Sequence, residues 1–161
     1  MIVIVMGVVG AGKTTIGRML AQHLNWRFAD ADDFHPGANV EKIRHGIPLT
    51  DDDRGPWLAR LRAEVVRWIS GDENVVLACS ALKRSYRQEL QVSREIRFVY
   101  LKGTAEVIAD RLRSRHGHFA DVQILASQFA DLEEPDNAVT VDIVANPEEI
   151  VAEIRQQLEM A

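Results

Sequence analysis

The stretch Gly7-Val8-Val9-Gly10-Ala11-Gly12-Lys13-Thr14 follows the apolar run Ile2-Val3-Ile4-Val5-Met6 and leads into the amphipathic segment Thr15 to Leu24. A β-branched run, a glycine-rich turn and a helix in that order leave few folds open, because the turn must bend its backbone N–H groups inward around an anion. Side chains at Gly7, Gly10 and Gly12 would obstruct that approach or the dihedrals behind it. The spacing is that of a P-loop. It assigns Gly7, Val8, Val9, Gly10, Ala11, Gly12, Lys13, Thr14 and Thr15 to the phosphates of a nucleoside triphosphate. Lys13 reaches the β- and γ-phosphates, the Thr14 hydroxyl faces Mg²⁺, and the helix N-terminus adds about half a positive charge.

Strand-like and helix-like segments alternate through the rest of the chain. Strands are predicted at Trp26–Asp30, Asn74–Cys79, Ile96–Leu101 and Ala138–Ile143. Helices are predicted at Asn39–His45, from Thr50 or the following aspartates to Ser70, from Thr104 to Ser114, at Val122–Leu132 and from Pro147 to about Glu159. Such alternation predicts an α/β fold with a five-stranded parallel sheet and helices on both faces. Trp57, Leu58, Leu61, Val65, Trp68 and Ile69 recur at helical spacing, which reads both tryptophans as packing residues.

With 161 residues the chain holds one domain, so any second substrate site must share it. A net charge of −5 provides no global attraction for nucleic acid or an anionic membrane, and an anionic substrate would need local cations. No apolar run approaches a membrane span, and Met1 runs straight into the first strand without a signal peptide. Cys79 is the only cysteine, which excludes an internal disulfide. These features lead us to expect a cytoplasmic protein.

Ligands of open α/β sheets bind beyond the C-terminal ends of the strands. Three features lie there: the acidic cluster Asp30-Ala31-Asp32-Asp33 after the second strand; Lys83 and Arg87, placed four apart with Tyr86 alongside after the third; and Arg111, Arg113, Arg115, His116 and His118 after the fourth. Clustered cations beside Gly117 suit a lid over phosphates. Spacing alone does not sort the three acids. Asp52-Asp53-Arg54-Gly55 formally matches a GTPase D-x-x-G, yet it follows no strand, and no N-K-x-D sequence exists in the chain.

The ordered set of the P-loop, Asp30-Ala31-Asp32-Asp33-Phe34-His35-Pro36, Leu49 through Trp57, Cys79-Ser80-Ala81-Leu82-Lys83, Tyr86-Arg87, Arg111 through Phe119, Gln128-Phe129 and Leu132-Glu133-Glu134-Pro135 closely resembles the gluconate kinase family. The resemblance implies ATP-dependent, Mg²⁺-assisted phosphorylation of D-gluconate at its 6-hydroxyl. It also implies a three-layer P-loop NTPase fold like that of nucleoside monophosphate and shikimate kinases, and a homodimer. Under it, residues 1–161 form one kinase domain with a lid at about 111–121. Lys13, Asp32, Arg111 and Arg115 are the expected catalytic residues, and Asp32, His35, Arg54, Lys83 and Arg87 the expected substrate contacts. Thr14 is the expected metal contact. Asn146-Pro147 and Arg111 are expected beside the adenine. Val9 stands where the family usually has serine, and Ala31 where glycine is frequent. Kinases of the same fold acting on shikimate or a nucleoside monophosphate are the alternative, followed by a non-catalytic nucleotide-binding module.

Overall fold

The computed structural model describes residues 1–114 and 119–159. Five strands, β1 (Ile2–Met6), β2 (Arg27–Asp30), β3 (Val75–Ala78), β4 (Ile96–Lys102) and β5 (Val139–Asp142), form one sheet in the order β2-β3-β1-β4-β5. Every pairing is parallel. Strand β1 lies at the centre, with Val3 opposite Val76 on one side and Arg97 on the other. A strand flanked and covered in this way has no wet face, which is why all five of its residues are apolar and buried.

The pleat divides β1 between two cores. Val3 and Val5 pack with Ile16 and Leu20 of α1 (Lys13–Leu24), Ile108 and Leu112, and Ile150 and Ile154. Ile2, Ile4 and Met6 pack on the opposite face with Trp57, Leu61, Val65 and Trp68. Those four residues form the inner stripe of α3 (Asp51–Ser70), as their spacing predicts. The intervening helices are α2 (Gly37–Arg44), α4 (Arg84–Leu90), α5 (Ala105–Ser114), α6 (Phe119–Asp131) and α7 (Pro147–Gln157). The three-layer α/β architecture agrees with the sequence expectation, although α6 begins three residues before Val122.

Two local structures differ from the sequence reading in ways that shape the site. Asp30 does not lead into an open acidic loop. Its Oδ1 accepts the Asp32 backbone N–H at 2.9 Å and caps a short 3₁₀ turn, Ala31–Phe34. Lys83 and Arg87, although four apart, do not both lie within one helix, because α4 starts at Arg84 and Lys83 is its N-cap in an extended conformation. The Asp52–Gly55 stretch lies inside the first turns of α3, where Thr50 and Asp53 form a reciprocal capping box. It is a helix start rather than a nucleotide switch.

Candidate active site

The P-loop spans the gap between β1 and α1. Gly10 and Gly12 have φ of +80° and +98°, a region that disfavours residues with a Cβ. Gly12 is the N-cap of α1 and supplies no side-chain cap, and the first turn of the helix carries no acid. The orphan N–H groups of that turn are therefore suited to an external anion. Gly10 also packs closely on α5: a Cβ there would stand 2.9 Å from Leu112 Cδ2.

The loop separates two cavities that share Gly10, Gly12 and Thr15. One is a groove of about 470 Å³ bordered by Ala11, Arg111, Ser114, Ile143, Ala145 and Pro147. Arg111 Nη2 donates to the Ile143 carbonyl at 2.5 Å and ties the last turn of α5 to the end of β5. Pro147 and Arg111 thus border one space. The other is a cleft of about 250 Å³ reached by Lys13, Thr14, Asp30, Asp32, His35 and Arg54. A triphosphate lying along the loop would join the two.

Lys13 Nζ donates to the Val8 carbonyl at 2.9 Å. Enclosure by protein pulls its pKa below the ordinary lysine value, and the negative charges of Asp32 and Asp30 oppose that shift. Thr14 Oγ1 lies 3.4 Å from Asp30 Oδ2. This pair of oxygens fits Mg²⁺, a hard cation that keeps several waters and needs few protein ligands when phosphates supply the rest. The residues do not form an all-protein cage: among those described, no group of three or more His, Cys, Asp or Glu could hold a metal.

The three acids separate in space. Asp30 is engaged by Thr14 and by the Asp32 N–H, and Asp33 does not line the cleft. Asp32 lines it, with Oδ1 at 3.8 Å from His35 Nε2. Water reaches 81% of its side chain, yet the carboxylate stands in a concavity. Partial desolvation, then repulsion from Asp30, raise its pKa, while Lys13 lowers it. His35 has only 6% of its side chain exposed and stacks on Trp57, with ring centroids 4.7 Å apart. Burial, then the Arg54 charge, depress its pKa to about 4, against the pull of Asp30, so the ring is neutral at pH 7.

The three expected acceptor cations also part company. Arg54 lines the cleft, with Nη1 donating to Tyr86 Oη and Nη2 to Asp131 Oδ2, both at 3.0 Å. Those bonds hold the guanidinium while, among the described residues, leaving three of its five N–H groups without a hydrogen-bond partner. Lys83 is paired with Asp51 at 2.9 Å and does not line the cleft. Arg87 turns inward and donates to the carbonyls of Ala81, Leu82 and Glu133, so it is a structural tie between α4 and the segment after α6. The structure therefore does not bring the expected substrate contacts Lys83 and Arg87 together in the cleft: the Asp51 carboxylate pairs with one, and backbone carbonyls hold the other.

Several site residues were not singled out in the sequence. Trp57 was read as packing. It is buried, but it also supplies the surface under His35 and donates its indole N–H to the Ala31 carbonyl at 2.8 Å. Gln128 reaches from α6 to accept the Val9 N–H at 2.6 Å, although the resemblance had included it without a role. Buried Asn39 carried no signal beyond its place in a predicted helix. Cys79 is buried at the cleft floor, and desolvation pushes its thiol up to about 12, which makes it inert at neutral pH. Arg115, His116, Gly117 and His118, on which much of the lid expectation rests, lie outside the described residues.

A family model described as shikimate kinase matches residues 9–159. A probable gluconokinase of Xenopus tropicalis is 40% identical, covering 99% of this chain and 94% of that protein. A gluconokinase of Gluconobacter oxydans is 47% identical over 82% of this chain and 75% of its own length. Among solved structures, a gluconokinase from Sinorhizobium meliloti superposes with a TM-score of 0.87 at 41% identity, covering 98% of this chain and 90% of that one. With a P-loop set between two cavities, one of them lined by Asp32 and Arg54, and with this likeness along nearly its whole length, the chain belongs to the gluconokinase family of shikimate-kinase-like P-loop phosphotransferases.

Proposed function

We propose that this protein transfers the γ-phosphoryl group of ATP to the 6-hydroxyl of D-gluconate, giving 6-phospho-D-gluconate and ADP. The observation that carries the reading is the cleft itself. It holds a P-loop lysine and an exposed carboxylate, Asp32, at the phosphate end, and on the acceptor side an arginine, Arg54, fixed by Tyr86 and Asp131 with N–H groups to spare among the described residues. A linear hydroxy acid has complementary ends, a hydroxyl to orient and a carboxylate to anchor. The relatives named gluconokinase, at 40% and 47% identity, favour gluconate over shikimate as the acceptor.

In this mechanism the P-loop amides and Lys13 hold the β- and γ-phosphates, and Asp32 orients the 6-hydroxyl and accepts its proton. The hydroxyl oxygen bonds to the γ-phosphorus as the bond to the β,γ-bridging oxygen breaks, and ADP leaves with that electron pair. Bound beside Thr14 and Asp30, Mg²⁺ would neutralise phosphate charge. Arg111 borders the nucleotide, and Arg115, from the lid expected at 111–121, adds positive charge over the phosphates. The same family reading makes the protein a cytoplasmic homodimer that acts on a small molecule, with neither nucleic acid nor membrane as partner. Among the described residues, no helix is long and apolar enough to cross a membrane.

A coupled ADP-release assay with gluconate, shikimate, AMP and CMP tests the reaction. Turnover is expected with gluconate, and a clear preference for any other acceptor overturns the reading. Arg54→Met tests the anchor: KM for gluconate is expected to rise at least about tenfold with KM for ATP nearly unchanged, because the lost contact is made in both ground and transition states. Equal changes in both constants would assign Arg54 to scaffolding by way of Tyr86 and Asp131.

A further inference from the structure

Asn39, on the first turn of α2, is only 3% exposed, and its amide is fixed from two directions. Nδ2 lies 2.8 Å from the backbone carbonyl oxygen of Asp53, a group that can only accept, so this atom of the carboxamide must be the nitrogen. The same nitrogen lies 3.2 Å from Nδ1 of His35. That ring nitrogen must therefore accept as well, and the proton of the neutral imidazole resides on Nε2. The carbonyl of Asp53 is itself held in place, because its residue closes the capping box with Thr50 and its carboxylate binds Lys42 at 2.8 Å.

We propose that Asn39 is a positioning residue for the acceptor: it locks His35 as the Nε2-protonated tautomer, so that the ring offers a fixed N–H donor beside the Asp32 carboxylate. The 3.8 Å between Nε2 and Asp32 Oδ1 is too long for a hydrogen bond. The two groups stand side by side as one donor and one acceptor. A hydroxyl is both, and can donate to Asp32 while accepting from His35. Such a pair recognises a polyhydroxy acceptor and discriminates against one lacking that hydroxyl, since the buried ring would then be left unpaired. This rests on the acceptor reading of the cleft given above.

The groups facing the ring agree with a neutral imidazole. Trp57 stacks on it from α3, Arg54 on the same helix repels a proton, and Asp32 and Asp30 attract one from the strand end. Burial and Arg54 prevail, which keeps the ring neutral at pH 7.

Long-range ¹H–¹⁵N correlation spectra of the ligand-free wild-type protein at pH 7 provide the direct test, with His35 assigned by its absence from the His35→Ala spectrum. The Nε2–H pattern is expected, and an Nδ1–H or imidazolium pattern overturns the inference. Asn39→Asp replaces the donor with an acceptor and is expected to move the proton to Nδ1. KM for gluconate is expected to rise at least about tenfold at nearly constant KM for ATP. In the His35→Ala background the same change is expected to have little further effect on gluconate, because Asn39 acts through the ring. Additive effects, or equal changes in both KM values, assign Asn39 to α2 stability instead. Gluconate turnover with the wrong tautomer defeats this inference alone. The right tautomer without gluconate turnover defeats the acceptor reading.

Discussion

Lys13→Ala is expected to lower turnover of ATP and gluconate about a hundredfold or more while leaving a folded protein, since the loss falls on charge that develops in the transition state. The structure separates those two consequences. Lys13 donates to one loop carbonyl, that of Val8, so its removal breaks no network between elements. Its ammonium is also poorly placed for stability, because enclosure lowers its pKa in spite of Asp32 and Asp30. A lysine whose folded pKa lies below its unfolded value subtracts stability while it is protonated, and the deficit disappears as the pH rises through that range. At pH 7 the alanine variant is therefore expected to melt at or above the wild-type temperature. Steady-state kinetics and a thermal melt on one preparation check both halves, and near-normal turnover would remove Lys13 from the mechanism.

The second large effect is expected at Asp32. Asp32→Asn keeps size and hydrogen bonding but removes the charge, so kcat is expected to fall by about 10² or more with little change in ATP affinity. Positioning accounts for much of that loss, since the transition state of phosphoryl transfer is loose and the proton moves late. The sign of the stability effect follows from the raised pKa, caused by partial desolvation and then by Asp30. A carboxyl with a folded pKa above its unfolded value binds protons more tightly when folded, so stability grows as the pH falls through that pKa. Ionised Asp32 therefore costs the fold little at pH 7, because water screens a side chain that is 81% exposed, and the asparagine variant is expected to be about as stable as wild type. The comparison that matters is with Asp30→Asn. If Asp32→Asn retains wild-type kcat and Asp30→Asn does not, the proton-accepting role belongs to Asp30, and the hydrogen bonds from Thr14 and the Asp32 N–H do not restrict it to capping and the metal.

What the sequence determined by itself is whatever short-range backbone physics enforces. The P-loop was legible because left-handed glycines, an uncapped helix start and a lysine must be contiguous to cradle a phosphate, and they stand at residues 7–14. The α/β class was legible because β1 is apolar on both faces and the stripe on α3 recurs at helical spacing. The capping box was among the N-caps allowed by Thr50 and the aspartates after it. What only the tertiary structure decided is how chemically similar groups are divided among partners far apart in sequence. Arg54 stays in the cleft because Tyr86 and Asp131 hold it there. Asp51 draws Lys83 aside, and carbonyls at Ala81, Leu82 and Glu133 draw Arg87 inward. Asp30 becomes a cap, which leaves Asp32 as the uncommitted acid in the cleft. Gln128 meets Val9 across 119 positions of chain. A cation or a carboxylate has the same spacing in the sequence whether it faces a ligand or a neighbouring carbonyl. The difference is a few ångströms in a hydrogen-bond path, and those distances exist only once the helices have packed on the sheet.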